Sequence, residues 1–194
     1  MNRREAIKRL TLLMGGAVIG ADAFLKGEVP AGREPRLDLT AQELSLLDEI
    51  GETIIPATHT PGAKAVQIGA FMKMMVNECY DEANRAVFQA GLGQVDAAAT
   101  KKFGKPFLQL SSPDRTALLN AIDAEERTYR TQKPADAPEH YFRLMKQMTL
   151  LGYFSSETGC TQALRYVAVP GAYRGSEPYK KGARAWFVPP NNFV

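Results

Sequence analysis

Two histidines, His59 and His140, are the side chains best suited to proton transfer near neutral pH, and neither stands in a pattern that uses it. A di-iron helical site needs Glu-x-x-His pairs, and no glutamate lies three positions before either histidine. No Cys-x-x-Cys-His attaches a haem, and no Gly-x-Ser-x-Gly positions a nucleophile. Gly91-Leu92-Gly93 is a fragment of a nucleotide loop with no strand before it. His59 therefore reads as a surface turn residue and His140 as a first-turn helix residue. Glu125 and Glu126 are adjacent carboxylates, but neighbours on a helix point ~100° apart, so they read as a solvated face. Met72, Met74 and Met75 read as core filler. Asp123 and Arg127, spaced i, i+4, read as a surface ion pair. The chain alone does not read as an enzyme, and no catalytic, cofactor or metal residue is assigned to it.

The elements that carry these residues are helical. Thr40 and Glu43 form a capping box ahead of Leu44, Leu47, Ile50 and Ile54 on one face, and Pro56 ends that helix. Thr58 to Gly62 is a turn. Ile68, Phe71, Met72, Met75, Val76, Cys79 and Tyr80 make one apolar stripe at helical spacing. The Ala-rich stretch from Asp81 to Phe103 is a further helix, with Gly91 and Gly93 as places where it breaks or bends. Ser112-Pro113-Asp114 starts another, burying Leu118, Leu119 and Ile122. After a loop from Thr131 to Pro138, Glu139 to Phe154 is helical with Phe142, Met145, Met148 and Leu151 inward. No period-two alternation is sustained. The fold expected is mainly α, with five or six helices in a compact bundle or orthogonal array.

The chain begins with a different kind of segment. Arg3 and Arg4 precede a short apolar run, Leu10 to Phe24, diluted by glycines and ending near the small-x-small triplet Ala21-Asp22-Ala23. A basic start, a short apolar middle and a small-residue end are the parts of an export signal. The arginine pair, followed by Ile7 and Lys8, resembles the twin-arginine type. An ordinary secretory signal or an uncleaved anchor is the alternative. The expected organisation is a signal over residues 1–23, a linker over 24–39 and one helical domain over 40–194. Its location is then the periplasm, with membrane contact only during export or through a partner.

The formal net charge is +3. Without residues 1–23 the chain holds 20 basic and 19 acidic residues, so no basic excess points to nucleic acid. Cys79 and Cys160 are too few for a disulfide scaffold. They either pair with each other, pair with a partner or remain buried thiols.

From about residue 169 the texture changes. Pro170, Gly171, Gly175, Pro178, Gly182, Pro189 and Pro190 forbid a long helix, yet Tyr173, Tyr179, Trp186, Phe187 and Phe193 lie among them. An irregular, aromatic tail wraps its own domain or docks on another protein.

The strings Leu151-Gly152-Tyr153-Phe154-Ser155-Ser156-Glu157-Thr158-Gly159, Thr161 to Tyr166, Val169-Pro170-Gly171-Ala172-Tyr173, Pro178-Tyr179 and Gly182 to Trp186 resemble the C-terminal signature of the gluconate 2-dehydrogenase subunit 3 family. Ile54-Ile55-Pro56-Ala57-Thr58 with Thr60-Pro61-Gly62-Ala63 resembles its early motif. The resemblance implies a small non-catalytic subunit. Its partner would be a large flavoprotein of the glucose-methanol-choline oxidoreductase type, which carries FAD and oxidises a sugar or sugar acid. A cytochrome c would be a further partner, as electron acceptor. The small subunit would support the folding, export and stability of the large one. A free-standing exported helical binding protein is the alternative.

Tyr, Trp and Arg dominate interface hot spots. Arg165, Tyr166, Tyr173, Tyr179, Arg184 and Trp186 crowd into the tail and are the expected partner interface. The competing reading is that these side chains close the chain's own core.

Overall fold

Each helix begins on a side chain that accepts an otherwise orphaned backbone N–H or on a turn that replaces one. The computed structural model describes residues 36–135, 137–167, 171, 176 and 178–187. The chain divides into two units, Met1–Arg36 and Leu37–Val194, and the second holds the fold described here. Helix α1 spans Ala41–Ile54. The Thr40 hydroxyl accepts from the Glu43 backbone at 3.2 Å, and the Glu43 carboxylate accepts from the Thr40 backbone at 2.8 Å. Both halves of the expected capping box are present. Leu46, Leu47 and Ile50 are buried, while Leu44 and Ile54 are only partly so.

Helix α2, Ile68–Cys79, starts after a 3-10 turn over Ala63–Val66 and after Gln67, which takes up φ 54°. Ile68, Met72 and Val76 are fully buried, as the stripe requires. At the end of the stripe Tyr80 still packs against the core, but Cys79 does not. Cys79, expected inward, is exposed because it is the last residue of the helix. The three methionines also separate: Met72 is buried, Met75 partly buried and Met74 exposed. Only the first two fill core space.

Helix α3 spans Glu82–Phe103 without interruption and ends on Gly104 at φ 71°, a left-handed cap. Its glycines do not break it. A Cβ on Gly91 would lie 2.5 Å from the Tyr141 Cβ, so Gly91 leaves the room that Tyr141 of the last helix occupies. Helix α4 spans Ser112–Gln132 and is capped by Ser111, not Ser112 as expected. A capping hydroxyl reaches the N–H three residues ahead, and only Ser111 has that spacing to the Asp114 N–H.

Helix α5, Tyr141–Ser155, packs against all four others and is the centre of the fold. Phe142, Leu144, Met145, Met148, Thr149 and Tyr153 are all buried, and Leu151 is partly so. The fold is thus the expected mainly helical array, with five α-helices among the described residues. After α5 the chain makes a π turn, Gly159–Ala163. The only extended pairing among the described residues is one isolated parallel bridge, Arg165 with Trp186.

The α1–α2 connection is held at several points. The Glu52 carboxylate accepts from the Ala57 and Lys64 backbones at 2.8 and 2.9 Å. The Tyr153 hydroxyl donates to the Pro61 carbonyl at 2.6 Å. Gly62 suits this place, because a Cβ would fall 2.6 Å from the Ala57 backbone nitrogen and would also displace the Glu52 carboxylate. Residues 55–64 therefore form a fixed loop over the C-terminal end of α5.

Candidate partner interface

Beyond α5 the residues expected at an interface are brought together, but in two different roles. The Arg165 N–H donates to the Ala185 carbonyl at 2.7 Å, and the Phe187 N–H donates to the Arg165 carbonyl at 3.0 Å. The Arg165 guanidinium lies 3.9 Å from the centre of the Trp186 ring, a cation–π contact. Tyr166 meets Phe187 edge to face at 5.8 Å. Arg184 donates from Nη1 to the Thr161 and Gln162 carbonyls at 2.6 and 3.0 Å. These carbonyls belong to the π turn, so Arg184 fastens the returning chain to the turn that follows α5. Arg165, Trp186 and Arg184 thus form a clasp within the chain. Trp186 still leaves 43 % of its surface in water and Tyr166 51 %. Tyr179 is 85 % exposed. Tyr173, Arg3 and Arg4 lie outside the described residues.

The other titratable side chains serve the fold. Glu49 lies between Lys64 and Arg115, joining α1 to the 3-10 turn and to α4. Burial pushes its carboxyl up, but hydrogen bonds and charges from Lys64 and Arg115 outweigh that and hold it below the ordinary value. Asp123 pairs with Arg127 at 2.7 Å, as spacing predicts, and also with Lys146 of α5 at 2.6 Å. Its carboxyl is likewise lowered: burial opposes the Lys146 and Arg127 contacts and loses.

Glu126 overturns the solvated-face reading. Glu125 is exposed, but Glu126 is only 6 % exposed. Arg130 approaches its Oε1 at 3.5 Å and Arg143 of α5 at 3.7 Å, with no hydrogen bond to that oxygen. Arg143 also pairs with Glu139 at 3.3 Å, and Glu139 with Lys133 at 3.1 Å. The two carboxylates diverge as neighbours on a helix do, and the buried one meets a cation of its own helix and one of α5.

His140 is the N-cap of α5, its Nδ1 accepting the Phe142 N–H at 3.2 Å. The proton of the neutral ring is accordingly assigned to Nε2. Tyr129 and Tyr141 rings lie 5.7 and 4.4 Å away. Burial lowers the imidazole pKa, against the opposing charges of Glu125 and Glu126. The unfolded chain therefore binds this proton more readily. The contribution to stability is complete above the unperturbed imidazole value and is lost as pH falls through the lowered one. We expect urea denaturation to show lower stability at pH ~5.5 than at ~7.5. His140→Asn keeps a capping acceptor without the titration, so its stability should change less over the same range. An equal loss in the variant would remove His140 as the cause. His59, the other histidine, is an exposed turn residue.

Cys79 and Cys160 are free thiols in different settings. Cys160 is buried in the π turn, its Sγ–H directed at the Phe154 carbonyl at 3.1 Å. Burial pushes that thiol's pKa up, which disfavours the reactive thiolate. Among the described residues no group of three or more His, Cys, Asp or Glu is placed to hold a metal ion, and no helix is long and apolar enough to cross a membrane. A groove of about 190 Å³ lies between α1, α4 and α5, lined by Thr53, Asn120, Asp123, Phe142 and Lys146 among others. It is smaller than the usual ligand pocket of ~300–1,000 Å³.

The fold and this surface describe a small helical domain whose exposed chemistry is gathered on a clasped C-terminal segment. The chain belongs to the gluconate 2-dehydrogenase subunit 3 family, whose family model matches residues 41–171. The match takes in all five helices, the fixed loop and the first arm of the clasp, and stops short of the second arm at Tyr179 to Trp186. No curated protein and no solved structure matches the chain.

Proposed function

We propose that this chain is the non-catalytic small subunit of a periplasmic, flavin-dependent sugar or sugar-acid dehydrogenase. It would support the folding, export and stability of a large subunit of the glucose-methanol-choline type. That subunit carries FAD and the reaction, and a cytochrome c takes the electrons in some such assemblies. The observation that carries this reading is the family match over residues 41–171, whose description is that of a subunit. Two further features support it. The start of the chain resembles a twin-arginine signal. The C-terminal segment leaves Tyr166, Tyr179 and Trp186 in water on a backbone that is already fastened.

The test is capture of the full chain from periplasm, followed by an absorbance spectrum and a dye-reduction assay with sugars and sugar acids. A larger flavin-yellow companion should come down with it, and sugar-dependent dye reduction should require that companion. The chain purified by itself should be colourless and inert. Flavin fluorescence or dye reduction from the isolated chain would contradict the reading, as would repeated capture without a flavoprotein.

A further inference from the structure

The clasp divides the tail into residues that hold and residues that are held out. At the start of its second arm the chain makes a tight turn at Lys180 to Ala183, closed by the Ala183 N–H donating to the Lys180 carbonyl at 3.0 Å. Gly182 sits at φ 82°, which a side chain rarely adopts, so a glycine is what allows the chain to turn here. Tyr179, Lys180 and Lys181 stand at this turn and are all exposed. Among the described residues none of the three makes a side-chain hydrogen bond or ion pair. The backbone on the C-terminal side is fixed by Arg184 and by the Arg165–Trp186 bridge. An ordered turn that places a tyrosine and two lysines in water contributes nothing to the core beneath it.

Charge is distributed to match. Residues 37–157 carry 12 basic and 16 acidic side chains, whereas residues 158–194 carry 5 basic and 1 acidic. The near-neutral total hides a negative body and a positive tail. A positive, aromatic surface complements an acidic surface with an apolar recess, and charge complementarity of this kind sets encounter rate and register. Tyrosine loses few torsions on docking and offers a ring and a hydroxyl, which suits it to the centre of such a contact.

We propose that the turn Tyr179–Lys180–Lys181 docks into an acidic patch of the flavoprotein partner, with Tyr179 as the buried anchor, and that Arg165, Arg184 and Trp186 position it. This rests on the proposed function. It moves the point of contact from the whole aromatic tail to one turn, and it makes Arg184 a positioning residue whose Nη1 is already engaged by the π turn. A membrane surface rich in anionic lipid would also attract two lysines beside a tyrosine. A protein is favoured because the turn is shaped and fastened, which register-specific docking needs and a fluid surface does not.

The experiment uses the full chain and the flavin-bearing protein captured with it, separated and titrated against each other between ~50 and ~400 mM salt. For Lys180→Glu with Lys181→Glu, the expected result is affinity at least ~10-fold weaker at low salt and a flattened salt dependence. Circular dichroism and melting point should stay unchanged. Tyr179→Ala should weaken binding at all salt concentrations. Lys180→Gln with Lys181→Gln provides a milder charge change in case the double reversal disturbs folding, and should fall between. Wild-type affinity and salt dependence in all three variants would overturn the proposal while leaving the subunit reading intact. Failure of the wild-type chain to bind any flavoprotein would overturn both. The same variants are tested by sedimentation with phosphatidylglycerol vesicles. Loss of vesicle binding with unchanged flavoprotein affinity would assign the turn to a membrane and overturn the proposal.

Discussion

Gly159→Ala should lower stability by about 2–3 kcal/mol and release the tail. A Cβ at this position would lie 1.9 Å from the Tyr153 carbonyl oxygen, 2.7 Å from its carbon and 3.1 Å from the Phe154 Cα. All three are backbone atoms, so no rotamer change relieves the overlap. Tyr153 cannot yield easily, since it is fully buried and its hydroxyl is engaged by Pro61. The π turn must move instead. Its Gly159 N–H donates to the Ser156 hydroxyl at 3.0 Å, and the Leu164 N–H donates to the Gly159 carbonyl at 2.9 Å. The carbonyls that receive Arg184 follow directly, at Thr161 and Gln162. For a domain of this size the loss corresponds to a melting point lower by roughly 5–10 °C. Trypsin should then cut faster at Lys180, Lys181 and Arg184 while the helical core persists. Gly93→Ala is the matched control. Gly93 is exposed in mid-helix with nothing within 4 Å of the added carbon. That substitution should be neutral or raise stability by up to ~1 kcal/mol, since alanine suits a helix better. Equal melting points for wild type and Gly159→Ala, with the same trypsin pattern, would show that the turn absorbs the carbon and is not a fixed joint.

What sequence reveals here is local, and what it conceals is contact between distant elements. The capping box at Thr40 and Glu43 and the ion pair of Asp123 with Arg127 depend on residues three or four apart, and both are present. The buried faces of α2 and α5 follow from one periodicity within one helix. Gly91 shows the limit. Within its own helix a glycine only weakens, so it reads as a break; its role appears when Tyr141, fifty positions later, presses on the same spot. Glu126 is similar. Its neighbours in sequence put it on a polar face, and Arg143 of α5 brings it inside. The clasp is the clearest case for function. Composition marks Arg165, Arg184 and Trp186 as interface residues because arginine and tryptophan favour interfaces. It carries no information that Arg184 meets two carbonyls of the π turn, or that Arg165 lies on Trp186. Those residue types serve internal fastening as well as docking, and only geometry separates the two uses.

Under the proposed function, Arg3→Lys combined with Arg4→Lys should leave this chain and its flavoprotein partner in the cytoplasm. The substitution keeps the basic start of the signal, so an ordinary secretory signal would tolerate it, whereas a route that reads the arginine pair would not. The structure supplies a physical reason to expect the folded route. The docking turn is set by contacts between Arg184 and the π turn and between Arg165 and Trp186, which bring together residues more than twenty positions apart. A partner that recognises this turn can do so only after the chain has folded. Threading the chain unfolded across the membrane would leave the turn unformed on the side where the partner is made. Transport after folding keeps the pair together. Cell fractionation with an immunoblot for each protein tests this. Normal periplasmic amounts of both from the double variant would remove the twin-arginine reading. Retention of this chain with normal export of the flavoprotein would show that the partner travels independently, and the export role would fall while the docking surface stood.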